Sequence, residues 1–352
     1  MIPYLLLLSL IVLAGALTYS EKFTDRYSLL RNILFIILLL FAGLAASRGD
    51  AVQYKDAYED GFGPTFEPAI NIIGNLCKLL NLGIYTMFLL FAAIAIALKF
   101  SFFKEASNKL FFVTLISYVS AFYVSCEMGA IRFGAAIGFV LFSIRYIEDK
   151  KIKKFVGIIL LGSLFHATTL LMLPVYYLRW QKSLTKSLLV ALVVSFLVSL
   201  IDIESLIDAI FENYFPQAII LVKYSTYFHE PAYFTPALLK RILFFLTLCY
   251  FFNTLKEKQK WFTTMFIMYF LSIIAFLMFK ANHTAASRFS FMFSSVEPVL
   301  FASLLLLTKN KIAKLSIALF ILLYAYINLS TALISQTDEF NLYLPYKLFF
   351  QQ

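Results

Sequence analysis

The chain has 352 residues, 61% of them hydrophobic and 14% charged, and its mean hydropathy is +0.84. Soluble domains are about half apolar and about a quarter charged, so a soluble fold is excluded. The formal net charge of +10 does not point to nucleic acid, because Lys and Arg stand in short clusters between apolar blocks, where the positive-inside bias of membrane proteins puts them.

In chain order, the apolar blocks run to about 17 to 20 residues, long enough for a helix to cross a hydrocarbon core of ~30 Å. The first, 2–18, lacks a basic start and a small-residue cleavage site, so it reads as a retained span in a mature chain beginning near Met1. Further spans are expected at 29–46, 83–98, 110–125, 130–147, 187–201, 237–255, 261–279, 289–307 and 312–330. The segment 155–178 fits either one long span or a hairpin of two short helices turning near His166. Charge decides between them. With a hairpin, the basic clusters at 22–31, 99–109, 145–154, 179–186, 256–260 and 309–314 all fall on one side, whereas a single span would scatter them. The sequence therefore predicts an all-α polytopic membrane helix bundle in which residues 1–352 form a single integral membrane domain with both termini outside. Counting the hairpin, it would have about twelve membrane segments, the short halves sheltered within protein.

The longer outer segments, 47–82 and 202–236, carry most of the varied polar chemistry. From Phe66, the positions Phe66, Ile70, Ile73, Leu76, Cys77 and Leu80 recur at helical spacing opposite Glu67, Asn71, Asn75 and Lys78, which predicts a helix lying in the interface. A second such helix is expected from Ile203 to Phe215. The two could rim an outward cavity or merely seal the bundle. Between this helix and the next span, Tyr224, Tyr227, Phe228, His229, Tyr233 and Phe234 form an aromatic run that suits sugar faces and suits the membrane interface equally well.

Arg48, Arg132, Arg241 and Arg288 stand at or near the outer ends of spans, where the positive-inside bias gives no reason for them. Planar guanidinium groups there can hold phosphate oxygens by two parallel bonds, or snorkel to ordinary headgroups. The three histidines, His166, His229 and His283, fall on the same side. His166, at the hairpin turn beside Thr168 and Thr169, can take or give a proton near neutral pH, or serve structurally. Glu127 lies five residues before Arg132, and Glu297 lies within a span beside Pro298; such carboxylates are functional candidates or ion-pair partners. Cys77, Cys126 and Cys249 are too scattered for a disulfide framework, and no His or Asp spacing suggests a metal site.

Three segments in order then carry a family resemblance: Arg48-Gly49-Asp50 followed by Tyr54, Tyr58 and Glu67; Glu127 to Arg132 opening a span with Gly134, Ala135 and Ala136, closed by Lys150 to Lys154; and Leu164 to Thr169 ahead of Pro174. In these the chain resembles the EpsG/Wzy-like family of bacterial polysaccharide polymerases, with Phe133 where members often carry Gln. The C-terminal half matches loosely, through Arg288 and its aromatic-rich span. The resemblance implies a multi-pass enzyme of the bacterial inner membrane that joins undecaprenyl-pyrophosphate-linked oligosaccharides on the outer face, with membrane lipids, a flippase and a chain-length regulator as partners and without cofactor or metal. Arg48, Arg132 and Arg288 would then face the pyrophosphate, and His166, Asp50 or Glu127 would serve the acceptor hydroxyl. Tyr54, Arg241 and His283 join them as substrate-binding candidates. A flippase of lipid-linked glycans, a glycosyltransferase using a lipid-linked monosaccharide phosphate, and a membrane acyltransferase with His166 as base are the competing readings.

Overall fold

The structure, a computed structural model, describes residues 1–19, 27–46, 51–63, 66–181, 236–279, 283–334 and 343–351, with six further positions between 188 and 197. Among these residues all repeating structure is helical, and the sole β feature is an isolated antiparallel bridge between Ala45 and Leu348. The N-terminal half comprises α1 (Ile2–Tyr19), α2 (Tyr27–Gly43), α3 (Ala51–Asp60), α4 (Pro68–Leu79), α5 (Ile84–Ser107), α6 (Phe111–Tyr118), which continues as a π-helix over Val119–Gly129, and α7 (Ile131–Glu148). Then follow α8 (Ile152–Ser163), a 3-10 helix (Ala167–Met172) and α9 (Leu173–Arg179). The C-terminal half holds α10 (Pro236–Tyr250), α11 (Phe252–Lys258), α12 (Phe262–Met278), α13 (His283–Ser294), α14 (Glu297–Ser303) and α15 (Lys311–Ile334).

By length and composition, the helical stretch Ile84–Gly129, which turns at Asn108, and the helix Lys311–Ile334 can cross a membrane. Two bent pairs, broken by 77° after Tyr250 and by 46° after Ser294, would bring the number to four. Ile2–Leu17, Tyr27–Gly43 and Phe262–Met278 are shorter apolar helices. The outer faces of α1 and α15 are frankly apolar: Leu6, Leu315 and Leu323 are each 60% exposed. Such a coat is a liability in water and the ordinary surface of a protein in lipid.

Besides the breaks after Tyr250 and Ser294 within the spans expected at 237–255 and 289–307, the end of α5 and the packed face of α4 differ from expectation. Helix α5 runs to Ser107 rather than stopping near 98, because Phe100, Phe102, Phe103 and Ala106 continue its buried face. Lys99, read from the sequence as the first residue of an inner basic cluster, is therefore inside the bundle and fully buried. Asn108, with φ +43, then turns the chain so that α5 and α6 lie side by side, Phe100 against Phe111 and Phe103 against Tyr118. In α4, whose phase is set by Pro68 in its first turn, the packed face is Ala69, Ile70, Gly74 and Cys77. A Cβ at Gly74 would run into the Phe62 ring, which would have to turn aside. Leu76 and Leu80, expected on that face, are exposed instead, alongside Ile72 and Leu79.

Hydrogen bonds sort the loops into two ends. At one, Tyr27 donates to Asn108 O (2.9 Å), Lys260 and Arg145 both reach Glu105 (2.9 and 3.4 Å), and Gln259 Nε2 donates to Ala106 O (2.8 Å). Arg179 grips Glu148 by two bonds of 2.9 and 3.0 Å, Trp180 Nε1 donates to Ile147 O (3.2 Å), and Lys258 Nζ donates to Leu306 O (3.0 Å). Among the described residues, Arg145, Arg179, Lys258 and Lys260 of the basic clusters take part in these contacts. Because Glu148 and Arg179 meet, the chain between them goes out and comes back: residues 152–179 are a hairpin turning at Phe165 and His166. Thr169 Oγ1 donates across it to Ile159 O (3.3 Å), and the rings of Phe155 and Tyr176 sit 5.4 Å apart. At the opposite end, Tyr4 donates to Tyr343 O and Tyr346 to Phe41 O, each at 2.9 Å, so the C-terminal segment closes over α1 and α2. The expected helix over 203–215, the aromatic run at 224–234 and most of the expected span at 187–201 lie outside the described residues.

Candidate functional site

The end of the bundle away from the basic loops holds Arg132. Ala130, with φ −84 and ψ +74, breaks the helical path between the π-helix and α7, so Arg132 sits in the first turn of α7 and reaches out under α3 and α4. Its Nε donates to the Tyr54 hydroxyl (3.0 Å), its Nη1 makes an ion pair with Glu67 Oε2, and its guanidinium lies over the rings of Tyr54 (5.6 Å) and Phe66 (5.1 Å). Tyr54 is almost wholly buried and edge-on to Phe88, so the hydroxyl it offers is held in place. Glu67 is the residue that begins α4, yet its side chain does not cap that helix. Nearby, burial pushes the Tyr58 hydroxyl above its usual pKa, and that group donates to Leu82 O at 2.5 Å.

His166 adjoins this cluster. The amide of Ala69 in α4 donates to Leu164 O (3.0 Å), tying the hairpin turn to the start of α4, and the His166 ring packs edge-to-face on Phe133 at 5.3 Å. His166 Nδ1 lies 2.9 Å from Thr168 Oγ1 and accepts from the Thr168 amide (3.4 Å). A backbone N–H can only donate, so the neutral ring carries its proton on Nε2 and presents a donor there. Phe133 and Phe122 in turn touch Phe291 (6.2 and 4.6 Å), one residue after Ser290, which accepts from Arg241 and donates to Ser272 O (2.6 Å). Arg241 thus stands behind an aromatic wall from His166. Arg288 is partly exposed on α13, while Arg48, Asp50 and the side chain of His283 lie outside the described residues.

Glu127 does not join Arg132. It is 1% exposed, its Oε1 accepts from Lys99 and from the Tyr118 hydroxyl, and its Oε2 has no partner among the described residues. The π-helix and the break at Ala130 reset the angular phase between positions 127 and 132, so sequence proximity does not become contact. A Cβ on Gly134 would stand 2.5 Å from Glu127 Oε2 and 2.7 Å from Cys126 O. Gly134→Ala is therefore expected to lower stability by about 1–3 kcal/mol, read as an earlier thermal transition of the detergent-purified protein. Glu297 forms a parallel cluster, accepting from Lys240 (3.2 Å), Tyr324 (2.7 Å) and Tyr269 (3.2 Å). Of the partners so revealed, the two cations were visible in the sequence, Lys99 at the head of a basic cluster and Lys240 beside Arg241 within the expected span 237–255, whereas Tyr118, Tyr269 and Tyr324 had no signal.

This arrangement defines an all-helical membrane protein with an arginine-centred polar cluster enclosed at the end away from its basic loops. The chain belongs to the EpsG family, which matches residues 28–348, from α2 through the C-terminal segment. That membership points to polysaccharide polymerisation in general. No curated protein and no solved structure matches the chain.

Proposed function

We propose that the protein polymerises undecaprenyl-pyrophosphate-linked oligosaccharide repeat units, passing the growing chain to the next lipid-linked unit on the outer face of the bacterial inner membrane. The observation that carries this reading is Arg132: a guanidinium pre-set by Tyr54, Phe66 and Glu67, next to the His166 turn, in a member of the EpsG family. In the reaction an acceptor hydroxyl attacks the anomeric carbon, the bond from that carbon to the pyrophosphate oxygen breaks, the electron pair leaves with the pyrophosphate, and the hydroxyl proton is released to water. Arg132 meets the charge that grows on the leaving group, and a donor fixed before the reaction needs no reorganisation as that charge develops. His166, with Nδ1 occupied by Thr168, offers Nε2–H to another oxygen of the same group. Purified protein given lipid-linked repeat units and no energy source should yield longer chains; absence of polymer, or movement of the substrate across the bilayer alone, would refute the reading and favour a flippase.

The same reading takes the basic end as cytoplasmic, α4 as a helix at the outer interface, and the whole as about twelve membrane segments. In a background without native cysteines, Asn75→Cys on α4 should be modified by an impermeant maleimide in intact spheroplasts. Asn310→Cys, beside Lys311, should be protected until the membrane is opened. The reverse pattern would turn the protein over.

A further inference from the structure

A guanidinium grips an oxyanion along one of two edges, Nε with Nη2 or Nη1 with Nη2. In Arg132 each edge already has one position filled: Tyr54 takes Nε, and Glu67 takes Nη1. Tyr54 is neutral and can exchange partners by turning its hydroxyl. Glu67 is different, because its carboxylate repels any anion approaching the edge it occupies. It is also well placed to move. As the residue preceding Pro68 in the 12-residue helix α4, with φ −67 and ψ +154, it has the backbone of an N-cap, but its side chain makes no capping bond. Pro68 has no N–H and the Ala69 amide is held by Leu164 O, so no ready capping bond waits for the carboxylate, but the positive end of the helix dipole still favours a negative charge released there.

Arg132 lies at an interface where, in a membrane, phosphodiester headgroups vastly outnumber any rare lipid carrier. Discrimination between two phosphates needs an element that repels the wrong one as well as an element that attracts the right one. We propose that Glu67 is a specificity-determining residue, whose carboxylate holds Arg132 against the singly charged phosphodiesters of bulk lipid and yields it to a pyrophosphate. The pyrophosphate brings a second charge and enough oxygens to take both edges of the guanidinium, and Glu67 then turns onto the start of α4. This rests on the reading of Arg132 as the pyrophosphate-binding group.

The test is calorimetric titration of the full-length protein in nanodiscs of zwitterionic lipid, with farnesyl pyrophosphate and with dihexanoyl phosphatidylglycerol as separate probes. Wild type should prefer the pyrophosphate. In Glu67→Gln, affinity for the phosphatidylglycerol should rise about tenfold while that for the pyrophosphate changes less, so the preference collapses; like-charge contacts removed from a binding site have effects of this order. Glu67→Asp, which keeps the charge, should retain the preference. An unchanged ratio in a Glu67→Gln protein that elutes and melts like wild type would overturn the proposal, and so would a Glu67→Gln protein that fails to fold, since that marks a structural pin. If neither wild type nor variant binds farnesyl pyrophosphate, it is the reading of Arg132 that fails.

Discussion

Arg132→Lys should reduce polymerisation by roughly 10²–10³-fold while leaving a protein that inserts, purifies and melts close to wild type; removal of one donor to a developing charge has an effect of this size in other enzymes. The expectation follows from geometry rather than charge. The guanidinium satisfies Tyr54 at Nε and Glu67 at Nη1 while standing over the rings of Tyr54 and Phe66, and still has N–H groups to offer. A lysine ammonium is a single strongly hydrated point charge without a fork or a plane, so it can keep the ion pair with Glu67 but cannot hold Tyr54 and a phosphate as well. Because the leaving group gains charge in the transition state, the loss should fall mainly on kcat rather than on KM. Normal chain lengths and rates from a well-folded Arg132→Lys protein would remove Arg132 from the chemistry and leave it as a pin between α7 and α4.

The largest stability effect is expected at the other buried carboxylate. Lys99→Met should destabilise the protein by about 3–5 kcal/mol, since breaking a buried pair leaves an uncompensated charge. Lys99 and Glu127 are both within 1% of full burial, and Tyr118 is the remaining donor to Oε1. The double variant Lys99→Met/Glu127→Gln should recover most of that loss, because neutral side chains no longer require a counter-charge. Cys126, buried beside the pair, supplies the readout: its thiol should react with maleimide in detergent at a lower temperature in Lys99→Met and near the wild-type temperature in the double variant. If Lys99→Met melts like wild type, Glu127 is neutral in the folded protein and the pair is not ionic.

The apolar helices were legible because lipid demands long unbroken apolar runs: 2–18, 130–147 and 261–279 coincide within a residue or so with α1, α7 and α12. The hairpin was legible through charge rather than hydropathy, since only a reversal puts Arg179 on the side of Glu148. Helix α3 went unread. Its sequence, with Tyr54, Lys55, Asp56, Tyr58, Glu59 and Asp60, has no long apolar period, and what it buries is chiefly Tyr54 against Phe88. Arg132 was legible as an arginine without a topological reason to be where it is, but its partners were not. Glu67 lies 65 residues away and meets Arg132 through the packing of α4 on α5 and the bond from Ala69 to the His166 turn. Glu127, the near neighbour, was the natural guess; the π-helix turned it toward Lys99. Side-chain partners across helices depend on packing, which a single chain's periodicity does not encode.

The hairpin also bears on how the protein is made. A helix of 12 residues such as α8 is about 18 Å long, well short of a bilayer's hydrocarbon core. Neither arm can be released into lipid by itself as a finished span. The packing of their inner faces is completed by Thr264 of α12, which donates to Glu148 at 2.5 Å beside Arg179, and by α13 against the 3-10 turn, all of it translated some 85 to 115 residues after the hairpin emerges. On the membrane reading proposed above, the His166 turn waits at the interface or within the insertion machinery until the C-terminal half arrives. A nascent chain arrested before α12 would hold residues 152–179 outside the bilayer core, and the candidate site would come into existence only in the last stage of synthesis.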